Sequence, residues 1–340
     1  MSWKVLVTAF PIAETGQRAL TLLRAAGCEI TRPPRFGPYA AADIQKLLSG
    51  HDAVLASLDH YSAAVLASDE AARLKIISRW GVGYDAVDVP AATQNGIVVA
   101  NTPGMLDEAV ADYTFALLLA LARGIHKAHV VMRAGEWKVS WGSDVAGKTL
   151  GLIGCGRIGV AVARRAVGFN LRMLACDPAP NPNALALGIQ FVSLDQLLAE
   201  SDFISLHAAL TPENRGLIGE SQLHQMKPTA LLINAARGAL VDEAALTRAL
   251  RESRIAGAAV DVFCEEPLPA NHPLRATPNL LLTPHSASYA RDTGERVSAA
   301  AAQAILDLRR GRRPQFVVNP DVFQSATLRA PVQDSTPTPA

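Results

Sequence analysis

The chain has 340 residues, of which 49% are hydrophobic, and its 32 basic and 31 acidic side chains leave a formal net charge of +1. This length favours two domains, each with a substantial apolar core. The balance of charges excludes the basic surface that binds nucleic acid or an anionic membrane, so we expect neither as a partner.

The N-terminus and the cysteines bear on the cellular compartment. Residues 1–8 enter a strand-like run without the layout of a signal peptide, and the apolar stretch Tyr113 to Ala122 is too short to span a bilayer. The four cysteines, at positions 28, 155, 176 and 264, lack CxxC or metal-ligand spacing. These patterns predict a protein of the reducing cytoplasm without a metal site.

Strands and helices alternate in the first hundred residues. Strand-like runs are predicted at 4–8, 53–57, 75–78 and 97–100, and helices over 14–26 and 41–48. Such alternation is typical of a parallel sheet with helices on its faces. The loop Arg79–Asp85 holds two glycines whose backbone N–H groups could line an anion cradle, although an ordinary strand-to-helix loop explains them equally well.

A glycine-rich turn, Gly154-Cys-Gly-Arg-Ile-Gly159, follows the apolar run Leu150–Ile153 and precedes residues at helical spacing. This pattern predicts strand, turn and helix, with Gly154 for the turn, Gly156 for the approach of a pyrophosphate and Gly159 for helix packing. The N-terminus of that helix would stabilise phosphate groups. The alternative is a turn whose glycines serve packing alone.

Asp177 ends the next predicted strand, Leu171–Cys176, eighteen residues after Gly159. An acid at this point accepts hydrogen bonds from the ribose diol of an adenosine and repels a 2′-phosphate. The sequence therefore favours NAD over NADP.

Further strand-like runs follow at 190–192, 202–207, 231–234, 257–262 and 280–283, and we expect about six strands in this second α/β unit. A long helix over 107–123 leads towards the glycine turn, and an alanine-rich helix over 293–308 is expected to return to the first unit. The predicted fold class is α/β, with two doubly wound parallel sheets. The expected domains are 1–101 with 290–320, a central Rossmann domain at 102–289, and a disordered tail at 321–340.

Polar side chains follow four of the later strands, at the edge where parallel strands end. They are His207, Asn234 with Arg237, Asp261 with Glu265 and Glu266, and His285. Arg237 could hold a carboxylate through two hydrogen bonds, and His285 could exchange a proton with an oxygen on the adjacent carbon. Glu266 could hold the imidazole in one tautomer and favour its charged form. Beside a nicotinamide, these groups could interconvert a 2-keto acid and a 2-hydroxy acid. Taken singly, each is more often a surface or structural residue.

Seven segments resemble, in the same order, the D-isomer-specific 2-hydroxyacid dehydrogenases, the family of D-3-phosphoglycerate dehydrogenase and the glyoxylate/hydroxypyruvate reductases. The resemblance covers residues 1 to about 320. The segments are Gly81-Val-Gly-Tyr-Asp-Ala-Val-Asp88, Asn101-Thr-Pro-Gly104, Gly154-Cys-Gly-Arg-Ile-Gly159, Leu206-His-Ala-Ala-Leu-Thr211, Asn234-Ala-Ala-Arg-Gly238, Asp261-Val-Phe-Cys-Glu-Glu-Pro267 and Thr283-Pro-His-Ser-Ala287.

The resemblance implies three catalytic residues. Arg237 would bind the substrate carboxylate, His285 would be the acid/base, and Glu266 rather than Glu265 would pair with His285, because it directly precedes Pro267. The substrate-binding residues would be Val82, Gly83, Arg237 and His285.

The resemblance also implies the cofactor contacts. Arg157 and Ile158 would bind the pyrophosphate through their backbone N–H groups, Asp177 the adenosine ribose, and Ala235 and Asp261 the nicotinamide end. The full implied set is Gly154, Gly156, Arg157, Ile158, Gly159, Asp177, Ala208, Ala235, Ala236, Arg237, Asp261 and His285. The family has a central Rossmann NAD-binding domain inserted in a smaller, flavodoxin-like split substrate domain, and its members are usually homodimers. We expect NADH to be preferred over NADPH.

Two departures from the family pattern bear on the substrate. His207-Ala-Ala-Leu210 lacks the usual proline near the cofactor, and Ala56-Ser57 lacks an arginine that could neutralise a phosphate. Together with the expectation of no regulatory domain after residue 320, they favour a small unphosphorylated keto acid over 3-phosphoglycerate. The alternatives are a D-3-phosphoglycerate dehydrogenase, a non-catalytic NAD-sensing protein similar to corepressors, and a methyl-transfer fold that would leave Arg237, Glu266 and His285 without a role.

Overall fold

The computed structural model describes residues 2–35 and 37–332. The chain forms two compact units: the first runs from the N-terminus to Leu106 and resumes at Tyr289, and the second is Asp107–Ser288. The units contain a five-stranded and a seven-stranded parallel sheet with helices between the strands. The predicted α/β fold class is confirmed. The sequence placed the first domain boundary after residue 101, five residues before the end of the first segment at Leu106.

The first unit is built on a sheet of strand order β2-β1-β3-β4-β5. Its strands are β1 (Lys4–Val7), β2 (Glu29–Thr31), β3 (Ala53–Ala56), β4 (Ile76–Arg79) and β5 (Val98–Ala100), and its first helices are α1 (Ile12–Thr15), α2 (Gln17–Ala25), α3 (Ala41–Leu48), α4 (Ala63–Leu66) and α5 (Val89–Gln94). Because helices cover both faces of a parallel sheet, its inner strands are largely buried and apolar, as β3 shows, whereas the edge strand β2 is not buried. The single helix expected over 14–26 is two helices that meet at Gly16. A Cβ at Gly16 would lie 2.5 Å from the carbonyl oxygen of Ile12.

The second unit is built on a sheet of strand order β12-β11-β10-β9-β6-β7-β8. Its helices and strands are α6 (Asp107–Ala122), α7 (Ile125–Arg133), β6 (Thr149–Ile153), α8 (Arg157–Gly168), β7 (Arg172–Cys176), α9 (Pro182–Leu185), β8 (Gln190–Phe191), α10 (Leu194–Glu200), β9 (Phe203–Leu206), α11 (Glu220–Gln225), β10 (Leu231–Asn234), α12 (Glu243–Arg251), β11 (Gly257–Val260) and β12 (Leu280–Leu282). The sheet has seven strands rather than about six. Its strand order reverses between β6 and β9, and the carboxyl ends of strands at such a point are where doubly wound sheets bind ligands.

Helix α6 is a core element of the second unit. Nine of its sixteen residues are buried, and it packs against α8 and against strands β10 and β11. Phe115 on α6 stacks on Phe169 at a centroid distance of 5.3 Å. Among the described residues no single helix is long and apolar enough to cross a membrane, although the bent pair α6 and α7 meets that test by length and composition.

The chain returns to the first unit through α13 (Arg291–Arg309), which packs against α2 and β4. Ser78 on β4 donates its hydroxyl hydrogen bond to the carbonyl of Ala301 at 2.7 Å. Beyond α13, Val317 bridges antiparallel to Ala100 at the end of β5.

Residues 321–332 are folded, in contrast to the disorder expected for them. Residues 320–324 form a 3₁₀ turn in which Val322 is fully buried. The Arg329 guanidinium donates to the carbonyls of Ala71 and Leu74. The short segment lacks the periodicity of a helix or strand, and its docking depends on buried Val322 and Ala330 and on hydrogen bonds to backbone carbonyls, none of which the composition indicates. The rest of the expected tail, 333–340, lies outside the described residues.

Candidate active site

The glycine turn joins β6 to α8 at the point where the strand order reverses. Gly154 has a φ of +88°, and a Cβ on it would lie 2.5 Å from the backbone nitrogen of Ala208. A Cβ on Gly159 would lie 2.5 Å from the carbonyl oxygen of Gly154. Both positions therefore require glycine, the first for its backbone conformation and its neighbour, the second for packing of the helix on the turn.

The N-terminus of α8 is open where the resemblance implies a pyrophosphate. Gly156 is the N-cap, and a Cβ added to it would meet no atom of the described residues within 4 Å. Arg157 and Ile158 begin the helix, so their backbone N–H groups belong to the first turn and have no acceptor within the helix itself. These groups and the helix dipole favour an anion at this end.

Asp177 lies directly after β7 and is hydrogen-bonded to the glycine turn. Its Oδ2 accepts from the backbone N–H of Cys155 at 2.7 Å, and its Oδ1 accepts from that of Ala179 at 2.8 Å. Burial and, second, the Asp177 carboxylate raise the pKa of the Cys155 thiol to about 11, so this cysteine stays neutral. An open glycine turn, a helix N-terminus and an acid after the adjacent strand fit a dinucleotide.

His207 follows β9 on the other side of the strand-order reversal. Its backbone N–H donates to the carbonyl of Ile153 at 2.7 Å, and its Nε2 lies 2.9 Å from the Ser205 hydroxyl. Burial lowers the pKa of the imidazole to about 4, so His207 is neutral at physiological pH.

The loop after His207 is held by the side chain of Asn214. The Asn214 amide donates to the carbonyl of Ala209 at 2.7 Å, and its Oδ1 accepts from the backbone N–H of Thr211 at 2.8 Å. Ala208 in this loop faces Gly154, as the distances around that glycine require.

Arg237 is carried on a turn closed by a buried asparagine. Asn234 ends β10 with 1% of its surface exposed, its Nδ2 donates to the carbonyl of Arg237 at 2.9 Å, and its Oδ1 accepts from the N–H of Ala236 at 3.1 Å. Ala235, Ala236 and Arg237 are half-buried, and the Arg237 guanidinium donates to the carbonyl of Ala236 at 2.7 Å. The Asn234 side chain therefore fixes the backbone of the turn that carries the Arg237 guanidinium.

His285 and Glu266 form a hydrogen-bonded pair. The Nδ1 of His285 lies 2.7 Å from Oε2 of Glu266, while Oε1 of Glu266 accepts from the backbone N–H of Phe263 at 2.9 Å. The carboxylate is thus held at one oxygen and holds the imidazole with the other. Because Nδ1 faces the carboxylate, Nε2 is the ring nitrogen left for proton exchange with a substrate.

Asp261 anchors the loop that carries His285. Its carboxylate is fully buried and accepts three hydrogen bonds, from the Thr283 hydroxyl at 2.6 Å and from the N–H groups of Ser286 and Ala287 at 2.8 and 2.9 Å. Its backbone carbonyl accepts from the N–H of His285 at 2.7 Å. The contact with the nicotinamide that the resemblance implies for Asp261 stays a prediction.

The backbone of His285 is strained. Its φ of +52° lies in the left-handed region, which costs a residue with a Cβ about 1 kcal/mol. The hydrogen bonds from Asp261 to both sides of His285 offset this cost. Left-handed backbone maintained in this way is common where a side chain must be aimed for chemistry.

Val82 and Gly83 lie in the loop after β4 of the first unit, where both are half-buried. Gly81 has a φ of +126° and donates its N–H to the Thr102 hydroxyl at 3.1 Å. Asn101 donates its amide to the carbonyl of Val82 at 2.8 Å. The end of β5 thus holds the backbone of this loop in place.

The structure brings together at one sheet edge the second unit's predicted residues: the glycine turn, Asp177, Ala208, the Arg237 turn, Asp261, Glu266 and His285. Sequence reasoning missed Asn214 and Thr283, and it gave Asn234 no positioning role. An asparagine three residues before Arg237 is a recognisable turn signal. Within the described part of the chain, no three His, Cys, Asp or Glu side chains form a group that could hold a metal ion.

Comparison with known proteins identifies a matching family model, a related sequence and similar structures. Residues 115–287 match the family model described as D-isomer specific 2-hydroxyacid dehydrogenase, NAD binding domain. A glyoxylate reductase of Thermofilum pendens is 40% identical over 334 residues, which cover 96% of this chain and 97% of that protein. The crystal structure of the TT0316 protein from Thermus thermophilus is similar with a TM-score of 0.84 and 42% identity, covering 93% of this chain and 99% of the other. The apo-structure of D-lactate dehydrogenase from Escherichia coli is similar with a TM-score of 0.81 and 32% identity, at the same coverages.

Proposed function

The chain belongs to the family of D-isomer-specific 2-hydroxyacid dehydrogenases, and on this premise we propose that it reduces a small, unphosphorylated 2-keto acid to the D-2-hydroxy acid with NADH. The observation that carries the proposal is the His285–Glu266 pair on one edge of the second sheet with the fixed turn of Arg237. Glyoxylate is a proposed substrate because the Thermofilum pendens relative is a glyoxylate reductase, and hydroxypyruvate is proposed because the sequence motifs resemble those of glyoxylate/hydroxypyruvate reductases.

In this proposal His285 and Arg237 have separate tasks. A dinucleotide whose pyrophosphate is held at the glycine turn would supply the hydride from its nicotinamide. His285 donates the Nε2 proton to the keto oxygen, while Glu266 stabilises the imidazolium through Nδ1. Arg237 binds the carboxylate and orients the keto carbon, so the rate comes from orientation and from charge stabilisation. Val82 and Gly83 are proposed to contact the substrate through their backbone.

The preference for NADH rests on Asp177. Its carboxylate accepts from Cys155 of the glycine turn and from Ala179 of its own loop, and at this place a ribose diol would add hydrogen bonds and a 2′-phosphate would be repelled. In kinetics with both cofactors, we expect NADH to give the higher kcat/KM. A higher value with NADPH would contradict the role of Asp177.

We propose a homodimer in the cytoplasm. Helix α7 has no buried residue, and large apolar side chains are exposed on it and just after it, with Trp137 and Trp141 at 87% and 97%. An apolar surface of this kind favours burial against a second copy. The four free cysteines are compatible with a reducing compartment. Light scattering after size-exclusion chromatography measures the dimer directly.

A panel of keto acids tests the proposed function. Glyoxylate, hydroxypyruvate, pyruvate and 3-phosphohydroxypyruvate are compared by kcat/KM with NADH. We expect the unphosphorylated acids to be the better substrates. Activity on the phosphorylated acid alone would favour a phosphoglycerate dehydrogenase, and no NADH oxidation with any acid would favour an NAD-binding interaction protein.

A further inference from the structure

Two successive backbone N–H groups next to the catalytic pair are held by two different carboxylates. The N–H of Phe263 donates to Oε1 of Glu266 at 2.9 Å, and the N–H of Cys264 donates to Oε1 of Glu243 at 2.8 Å. Glu266 belongs to the same loop, whereas Glu243 is the first residue of α12. The loop that carries Glu266 is therefore fastened to a helix outside it.

Glu243 is itself held in place. Its side chain is only 15% exposed, and its Oε2 lies 3.5 Å from Nε2 of His272. Nδ1 of His272 accepts from the backbone N–H of Leu274 at 3.4 Å, so the ring proton is on Nε2 and faces Glu243. Asp242 caps α12 by accepting from the N–H groups of Ala244 and Ala245.

The same peptide unit also supports the turn of Arg237. A Cβ on Gly238 would lie 2.0 Å from the carbonyl carbon of Phe263 and 2.5 Å from the nitrogen of Cys264. Gly238 therefore lies directly on the 263–264 peptide, and no other residue fits there. Through this peptide the backbone after Arg237 rests on the loop that carries Glu266.

We propose that Glu243 is a positioning residue, which holds the 263–264 peptide and thereby sets the His285–Glu266 pair against Arg237. The inference rests on the proposed function and names a residue outside the implied substrate and cofactor contacts. Glu243 acts on the loop through the backbone, since its Oε1 accepts from the N–H of Cys264. Its Oε2 lies against the imidazole of His272, which helps to hold the carboxylate in place.

Loss of this anchor has a characteristic kinetic result. The backbone after Arg237 packs on the 263–264 peptide at Gly238, but the Arg237 turn itself is closed by the Asn234 side chain, so binding of the keto acid, measured by KM, should change little. The Glu266 carboxylate would lose its fixed position, and a displacement of about 1 Å costs on the order of 100-fold in rate. We therefore expect a fall in kcat rather than a rise in KM.

Cys264 offers a local probe that needs no turnover. Burial and, second, the Glu243 carboxylate raise the pKa of its thiol to about 11. Replacing Glu243 by a neutral residue should lower this pKa and speed alkylation of Cys264 by iodoacetamide at pH 9, followed by peptide mapping. This readout reports the contact even if the chain reduced no keto acid at all.

The experiment compares E243Q, E243A and a control, E220Q, in the full-length protein. Glu220 is an exposed acid on α11 that pairs with Arg248 of α12 at 2.7 Å. We expect E243Q to keep kcat within about threefold, because its amide oxygen still accepts from Cys264, and E243A to lose about 10- to 100-fold in kcat with KM nearly unchanged. E220Q should match the wild type.

A double mutant isolates the route of the effect. In the H285A background, E243A should cause no further loss, because the residue to be positioned is gone. Should E243A fail to fold, as judged by circular dichroism, E243D carries the test, since its shorter side chain keeps the charge but cannot reach Cys264.

Three results would overturn the inference while leaving the proposed function intact: wild-type kcat in E243A, a change in KM alone, or an equal loss in the H285A background. A wild-type enzyme inactive on every keto acid would overturn the proposed function instead. Unchanged alkylation of Cys264 in E243Q would then overturn the contact as well.

Discussion

The two sheets end in polar residues of similar types, but these residues do different things. At the carboxyl edge of the second sheet, buried Asp261 and Asn234 hold the loops of His285 and Arg237, and these loops present charged side chains. At the corresponding edge of the first sheet, Thr102 and Asn101 hold the Gly81–Val82 backbone, and the loop presents its main chain.

We infer from this difference that the edge of the second sheet supplies charged side chains, whereas the edge of the first sheet supplies a backbone of fixed conformation. Side chains that exchange protons need tautomers and distances fixed by partners, whereas a loop that presents its main chain needs a fixed backbone conformation. Asp59, just after β3, also holds backbone in place at this edge of the first sheet. It is fully buried and accepts from the Thr8 hydroxyl and from the backbone N–H groups of Tyr39 and Ser57.

The largest expected effect concerns the charged edge. Replacing Glu266 by Gln should reduce kcat/KM by about 10²–10³-fold, because the imidazolium of His285 loses its carboxylate. The neighbouring Glu265 is exposed and serves as the matched control, with E265Q expected at wild-type activity. Equal losses in both variants would contradict the pairing as the reason for the effect.

At the edge of the second sheet, His207 should make the stability of the protein depend on pH. Its pKa is about 4 in the folded protein and near 6.5 when unfolded, so between these values only the unfolded chain binds the proton. Stability should therefore fall as pH drops from 6.5 to 4, and His207 accounts for up to about 3 kcal/mol of that fall. H207Q should flatten the curve in urea titrations across this window. An unchanged slope would show that His207 is not responsible.

The backbone-presenting edge should respond in stability more than in chemistry. D59N leaves a buried hydrogen-bond network with a poorer acceptor, and we expect a loss of about 2 kcal/mol in the free energy of unfolding. D69N, at an exposed acid of the same unit, is the control. A stable D59N protein with a strongly reduced kcat would contradict the division proposed for the two edges.

The smallest effect is expected at Thr102. T102V removes the acceptor for the N–H of Gly81 and should loosen the Val82–Gly83 backbone, raising KM for the keto acid about three- to fivefold with kcat retained, a change of about 1 kcal/mol. Initial rates over a range of keto acid concentrations measure this directly. A fall in kcat at constant KM would contradict this prediction, because it would show that the loop affects the chemical step rather than binding of the keto acid.

Much of this architecture could be predicted because its signals are local. Strands such as β10 are short apolar runs, and the glycine turn has fixed spacing. The hydrogen bonds that support the site have no local signal. Thr283 and Asp261 are 22 residues apart, and Glu243 and Cys264 are 21 apart, so only the folded sheet brings them together.

Residues whose roles depend on contacts with distant backbone groups were the hardest to predict. Glu243 reads as an ordinary acid in the first turn of a helix, and Arg329 reads as part of a polar tail. In both cases the side chain binds a backbone group. Every residue has such groups, so the sequence does not indicate which of them will be the partner.

The central claim is that His285, oriented by Glu266, is the acid that protonates the keto oxygen. The most direct test measures kcat/KM for glyoxylate with NADH in the wild type and in H285Q, with NADH affinity measured by fluorescence titration. We predict that H285Q loses about 10²–10⁴-fold in kcat/KM while its affinity for NADH stays close to that of the wild type. Near-normal turnover in H285Q would contradict the account.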